Sequence, residues 1–275
     1  MPESTTHASD SSTPFVLVTG ASSGIGAAYA RALAARGHSV ALAARRVDRL
    51  ADLALELAER HRVHTDVLEL DLSTEDGIHD GVRWIQHRGP LAMLVHSAGF
   101  GTRAHFADLP AERTVGMLRV HVEAAVRLTR AALPAMLEAR SGAIVLVSSL
   151  AGFFTTSRYV TYSATKAYLN QFAEGLRAEV GPAGIRVQAV CPGLVRTEFL
   201  DSPDYAEFKY DQVPDWAWLT PEQVVRESLA ALERGHPGVV IPGWPNRVLA
   251  GLLRAPAIGT AMRWGLDRLS AGGLY

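Results

Sequence analysis

The chain reads as an α/β protein, a single domain built on a doubly wound parallel sheet of about seven strands with helices on both faces. Three observations predict this. Short, almost continuously apolar runs recur along the sequence, as strands covered on both faces require. Helix-length segments separate them, which implies βαβ crossovers and parallel pairing. No break in composition and no internal repeat divides the 275 residues, of which 48% are hydrophobic and 20% charged.

Taken in order, the first strand is "FVLVTG". It runs through a glycine-rich turn into "IGAAYARALAARG", a helix with Ala and Leu at helical spacing that stops at Gly37. "SVALAAR" and the helix "VDRLADLALELAERH" follow, then the strands "VHTDVLELD" and "LAMLVHSAG". The stretch "AERTVGMLRVHVEAAVRLTRAALPAMLEAR" reads as one long helical segment, followed by the strand "GAIVLVSS" and the helix "YVTYSATKAYLNQFAEGLRAEVG". "IRVQAVCPG" and "GVVIPG" complete the strands. The expected organisation is a disordered polar leader over 1–13, the domain proper over 14–245, and a helical extension of it over 246–275.

Composition excludes several classes. A net charge of −1 offers no electrostatic case for nucleic acid. The single cysteine, Cys191, rules out an internal disulfide framework and suits a reducing compartment. The start "MPESTTHASDSST" lacks the basic and apolar regions of a secretory signal, and no apolar run approaches the roughly 18 to 20 residues of a membrane span. The expectation is a cytoplasmic protein. No metal is expected either, since His61 and His64 form no ligand cluster with cysteine or carboxylates.

The turn after the first strand, "TGASSGIG", places Gly20, Gly24 and Gly26 around Ser22, Ser23 and Ile25. Glycines there let backbone approach a pyrophosphate, and the following helix N-terminus offers free N–H groups and a positive dipole end. This is the chemistry of a dinucleotide site, although the spacing is G-x3-G-x-G. At the end of the second strand stand Ala44, Arg45 and Arg46, with no carboxylate before Asp48. Guanidinium groups there suit a 2′-phosphate, whereas an acidic residue would suit a free ribose hydroxyl, so NADP(H) is expected over NAD(H). Farther on, "YSATK" sets Tyr162 and Lys166 one helical turn apart on a common face.

"TGASSGIG", "HSAG", "VSS" and "YSATK", in this order, resemble the short-chain dehydrogenase/reductase family, from about Phe15 to about Gly243. The resemblance implies a Rossmann-like fold and hydride transfer between NADP(H) and a carbonyl or secondary alcohol. It implies a catalytic Ser149, with Ser148 the alternative, Tyr162 as general acid/base and Lys166 as its activator, the last two also contacting the cofactor. A free phenol has a pKa near 10, and a close ammonium together with the positive nicotinamide ring of the oxidised complex is expected to lower it. Further cofactor contacts carried over are Asp71 and Leu72 of "ELDLS", Ala98 and Gly99 of "HSAG", and Pro192, Gly193, Val195 and Thr197 of "PGLVRTEF". The resemblance also implies a homodimer or homotetramer acting on a small-molecule substrate.

The chain departs from the family in two places. His96 and Ser97 stand where it usually has a pair of asparagines, and His121 falls where an asparagine normally serves the proton relay. His121 either takes part in that relay or merely fills the space. The region between Thr197 and Thr220 is dense in aromatics, namely Phe199, Tyr205, Phe208, Tyr210, Trp216 and Trp218, with Phe153, Phe154 and Tyr159 upstream. These either line a crevice for an apolar or ring-containing substrate or pack an interface or a small core of the loop's own. The tail, with Arg247, Arg254, Arg263 and Arg268, is expected to cover a pocket or a neighbouring subunit rather than lie on a membrane. Two other functions remain open: a cofactor-ratio sensor without turnover, and an isomerase or epimerase using the cofactor transiently.

Overall fold

The computed structural model describes residues 15–206, 208, 212–235 and 238–254. The expected leader, Tyr210, the side chain of Arg254, and Arg263 and Arg268 lie outside the described residues. The strands are β1 (Phe15–Thr19), β2 (Ser39–Ala44), β3 (Thr65–Glu69), β4 (Leu91–His96), β5 (Gly142–Val147), β6 (Ile185–Val190), β7 (Leu194–Val195), β8 (Trp218–Leu219) and β9 (Val239–Val240). Seven of them form one parallel sheet in the order β3-β2-β1-β4-β5-β6-β9. The two-residue strands β7 and β8 pair separately, an element the sequence reading did not anticipate.

Alternate residues of β1 face opposite cores, which explains why the strand is apolar throughout. Phe15 and Leu17 pack with Ile78 and Ile85 of α3 (Glu75–Arg88) and with residues of two later helices, among them Leu128 and Leu169. Val16 and Val18 pack on the other side with Tyr29 and Leu33 of a first helix, α1 (Gly24–Ala34), with Leu50 and Leu57 of α2 (Val47–His61), and with Leu229. The helices containing Leu128, Leu169 and Leu229 are α5 (Ala124–Ala139), α6 (Val160–Val180) and α7 (Pro221–Glu233).

The stretch expected as one long helix is interrupted. α4 (Ala111–Leu118) passes through a π-turn at Arg119–Glu123 before α5 begins. The extra residue of such a turn rotates side chains relative to a regular helix and is common near functional sites. His121 sits within it, fully buried. The last helix among the described residues, α8 (Trp244–Arg254), contributes Pro245, Asn246 and Leu249 to the wall of the cleft described below.

The strand order reverses between β1 and β4, and ligands of such sheets bind in the crevice at that switch point. Here the chain is packed closely. Gly20 has φ +68°, and a Cβ on it would come within 2.8 Å of the Ala98 backbone. A Cβ on Gly26 would meet the carbonyl of Gly20, so α1 can start this near β1 only with a glycine there. Gly26→Ala is expected to lower unfolding free energy by about 2 kcal/mol, the scale of overpacking a tight backbone contact. Urea titration checks it, and an unchanged midpoint would contradict this packing.

Candidate active site

A cleft of about 1510 Å³ opens at the switch point. Of the cofactor-binding residues expected from the sequence, Gly20, Ser22, Ser23, Gly24, Ile25, Arg45, Arg46, Asp71, Leu72, Ala98, Gly99, Pro192, Gly193, Val195 and Thr197 line it. Gly26 stands behind its wall, against Gly20. The glycine turn lines the groove at the start of α1, with Gly24 at φ +54° opposite the Thr197 side chain, and a glycine-rich turn at a helix N-terminus fits a pyrophosphate. Arg46 occupies the N-cap position of α2 but makes no capping bond there. Its guanidinium reaches the Ser22 and Ser23 hydroxyls at 2.9 and 2.8 Å, joining the end of β2 to the glycine turn. At the neighbouring strand end, burial opposes ionisation of Asp71, but hydrogen bonds from the Ser73 hydroxyl and N–H and the charge of Arg45 hold its carboxyl below the usual range.

The two serines of "VSS" diverge. Ser148 is buried and donates to the Lys166 carbonyl at 2.9 Å, so its hydroxyl is spent inside the wall. The Ser149 hydroxyl accepts from Ala151 N–H at 3.1 Å and lines the cleft with Tyr162, whose pKa it pulls down against burial. Lys166 also lines the cleft, with Nζ 5.6 Å from the Tyr162 ring centroid and donating to the Val147 carbonyl at 3.0 Å. Burial pulls the amine down to about 8.

The sequence-based expectation of a lowered phenol pKa counts on the ammonium together with the positive nicotinamide ring of the oxidised complex. Burial pushes Tyr162 up to about 12, against the opposing hydrogen bond from Ser149. The amine donates to the Val147 carbonyl, and burial is the largest influence on the phenol.

His121 stands one layer behind. Its Nε2 accepts the Phe100 N–H at 3.1 Å, so the ring proton resides on Nδ1 and is donated to Thr165 Oγ1 at 2.8 Å. The Thr165 hydroxyl in turn donates to the Tyr162 carbonyl at 2.8 Å. Burial, then the charges of Lys166 and His96, hold this imidazole well below its ordinary value. His96 is similarly engaged. Thr19 Oγ1 accepts the Ser97 and Ala98 N–H groups and donates to His96 Nδ1, leaving Nε2–H for the Val120 carbonyl at 2.9 Å. Burial brings His96 down to about 4.

The chain was compared with known proteins. The family model described as short chain dehydrogenase matches residues 14–206. This chain belongs to the short-chain dehydrogenase family. Among curated relatives of this dehydrogenase, a very-long-chain 3-oxoacyl-CoA reductase from Anas platyrhynchos is 37% identical over 224 residues, 79% of this chain and 68% of the relative. An uncharacterized oxidoreductase from Bacillus subtilis is 36% identical over 76% of this chain and 86% of its own. Among solved structures, a short-chain dehydrogenase from Sphingobium yanoikuyae in complex with NADPH superposes with a TM-score of 0.77 at 31% identity, covering 95% of this chain and 94% of that one. The bulky-bulky ketone specific alcohol dehydrogenase from Comamonas testosteroni gives 0.74 at 29%, covering 94% and 92%.

The dehydrogenase's aromatic segment plays both parts that the sequence left open. Leu200, Tyr205 and Trp218 make a small core of their own, while Phe199, Tyr205, Phe208 and Trp216 line the cleft with Phe154 and Tyr159. Phe199 lies 6.0 Å from the Tyr162 ring and 5.5 Å from Tyr205. Phe153 instead packs against the main core. The start of the tail adds Pro245, Asn246 and Leu249 of α8 to the cleft wall. Sequence reasoning missed Thr19, Thr165 and Glu198, whose partners lie 77, 44 and 152 residues away, and no local pattern marks them. Among the described residues no helix is long and apolar enough to cross a membrane, and no cluster of three His, Cys, Asp or Glu could hold a metal.

The buried amine makes a stability prediction. Its folded value of about 8 lies below the unfolded value of 10.5, so folding disfavours the ammonium. The cost is full below about pH 8 and is lost as pH rises past 10.5. Lys166→Met is therefore expected to raise Tm at pH 7 and to lose that advantage above pH 10.5. Calorimetry at the two pH values tests the sign.

Proposed function

We propose that this dehydrogenase is an NADP(H)-dependent carbonyl reductase or alcohol dehydrogenase for an apolar substrate, with Ser149, Tyr162 and Lys166 as its catalytic set. One observation carries the reading: Ser149, Tyr162 and Lys166 line one and the same cleft, next to the glycine groove. When bound, the nicotinamide supplies a hydride to a carbonyl carbon or takes one from an alcohol carbon. In reduction, Tyr162 gives its hydroxyl proton to the developing alkoxide while Ser149 donates a hydrogen bond to the same oxygen. A phenol at about 12 is protonated at neutral pH and suited to giving that proton. Lys166 supplies positive charge that stabilises the phenolate left behind. In oxidation the same residues run in reverse.

Arg45 and Arg46 support NADP(H), as does the NADPH complex among the structural relatives. Phe154, Phe199 and Phe208 in the cleft wall support an apolar substrate, in keeping with the ketone and oxoacyl relatives. A homodimer or homotetramer is supported by apolar side chains left exposed on the long helices, among them Val115, Leu118, Leu137, Val160 and Tyr168. His121 acts in this reading as a positioning residue, because its acceptor nitrogen is held by a backbone N–H and its proton by Thr165.

Absorbance at the NADPH band with a panel of bulky apolar ketones tests the assignment. Tyr162→Phe is expected to lower kcat by about 1000-fold or more, and Ser149→Ala by about 100-fold, the range for acid catalysis and for an oxyanion donor. Ser148→Ala should cost far less, and turnover surviving in Tyr162→Phe would overturn the set. For His121→Asn, the normalised pH–rate profile should superimpose on the wild type. A displaced limb would instead give the imidazole a place in the relay.

A further inference from the structure

Glu198 follows Thr197, and its carboxylate crosses to the start of α2, with Oε2 2.8 Å from Arg46 and Oε1 2.5 Å from Arg49. The two guanidiniums grip one carboxylate from both sides and hold it below the usual carboxylate range, Arg46 contributing most. Arg46 is the same side chain that reaches Ser22 and Ser23 on the glycine turn. The Thr197 side chain meanwhile lies against Gly24, about where a Cβ would come within 3.1 Å of it. Residues 197 and 198 thus form a strap along the cofactor groove, ending in an anion placed on Arg46, which faces the groove, and on Arg49 beside it.

We infer that Glu198 is a specificity-determining residue: its carboxylate occupies the anion site built by Arg46 and Arg49 and competes there with the 2′-phosphate of NADP(H). This rests on the NADP(H) reading above. The competition is physically balanced. All three side chains are nearly half exposed, and solvent-exposed ion pairs of this kind are weak enough to be exchanged. A phosphate monoester carries close to two negative charges and several acceptor oxygens, so it can take both guanidiniums from a single carboxylate. It must still displace Glu198 or sit beside its charge, and either costs affinity. A cofactor without the 2′-phosphate leaves the pairs intact. Glu198 therefore narrows the preference that Arg45 and Arg46 create, and it ties cofactor choice to the segment that also carries Phe199 and Tyr205 over the substrate.

The test is calorimetric titration of wild type and Glu198→Gln with two probes, adenosine 2′,5′-bisphosphate and adenosine 5′-monophosphate. Glu198→Gln is expected to tighten the bisphosphate by roughly five- to tenfold, the scale of removing one adjacent like charge, and to leave the monophosphate unchanged. The monophosphate also reports that the variant keeps its fold. Weaker binding of the bisphosphate, or an unaltered ratio of the two, would overturn the competition while leaving NADP(H) preference standing. A wild type that binds both probes equally would overturn the NADP(H) reading and this inference with it.

Discussion

Lys166 is buried at 5% exposure with its amine on the Val147 carbonyl, and the groups around it are arranged to tolerate that charge. An ammonium out of water is costly unless hydrogen-bonded. Ser148 is therefore best understood as part of the support, since its bond to the Lys166 carbonyl ties α6 to the end of β5. The neighbouring histidines are held neutral partly by the same charge. What lowers the amine toward neutrality is also what raises the phenol: both sit where water is excluded, and charge on either is expensive until a reacting group shares the space.

Two imidazoles take the places where the family usually has amides, and each uses both ring nitrogens. His96 joins Thr19 at the end of β1 to Val120 in the π-turn. His121 joins Phe100 after β4 to Thr165 and, through it, to the backbone of Tyr162. Together they fasten the turn between α4 and α5 to the loop that borders the cofactor groove and to the first turn of α6. A rigid frame of this kind holds the reacting groups in register, which is where much of a site's catalytic power resides.

The segment after β6 serves both halves of the cleft. β7 and β8 pin its ends, and Arg113 binds Asp204 at 2.7 Å, fastening its middle to α4. Between these anchors Phe199 lies against the Tyr162 ring, with Tyr205 packed on Phe199. Burial, followed by the charges of Tyr162, Tyr159 and Asp204, holds the Tyr205 hydroxyl far above its ordinary value, so it remains a neutral donor in the wall.

The seven sheet strands, the glycine turn and the serine, tyrosine and lysine of the cleft were legible in the sequence, because each is written locally. Buried parallel strands must be apolar, a pyrophosphate turn must be glycine-rich, and two residues one helical turn apart share a face. The tertiary structure alone decided the rest. It tied the Ser148 hydroxyl to the Lys166 carbonyl and left the Ser149 side chain lining the cleft with Tyr162. It broke the long helix at His121, gave that ring a donor and an acceptor from distant segments, and buried the phenol so that its acidity falls. Sequence spacing specifies which side chains can meet. Only packing determines how much water remains between them, and so how strongly their charges count.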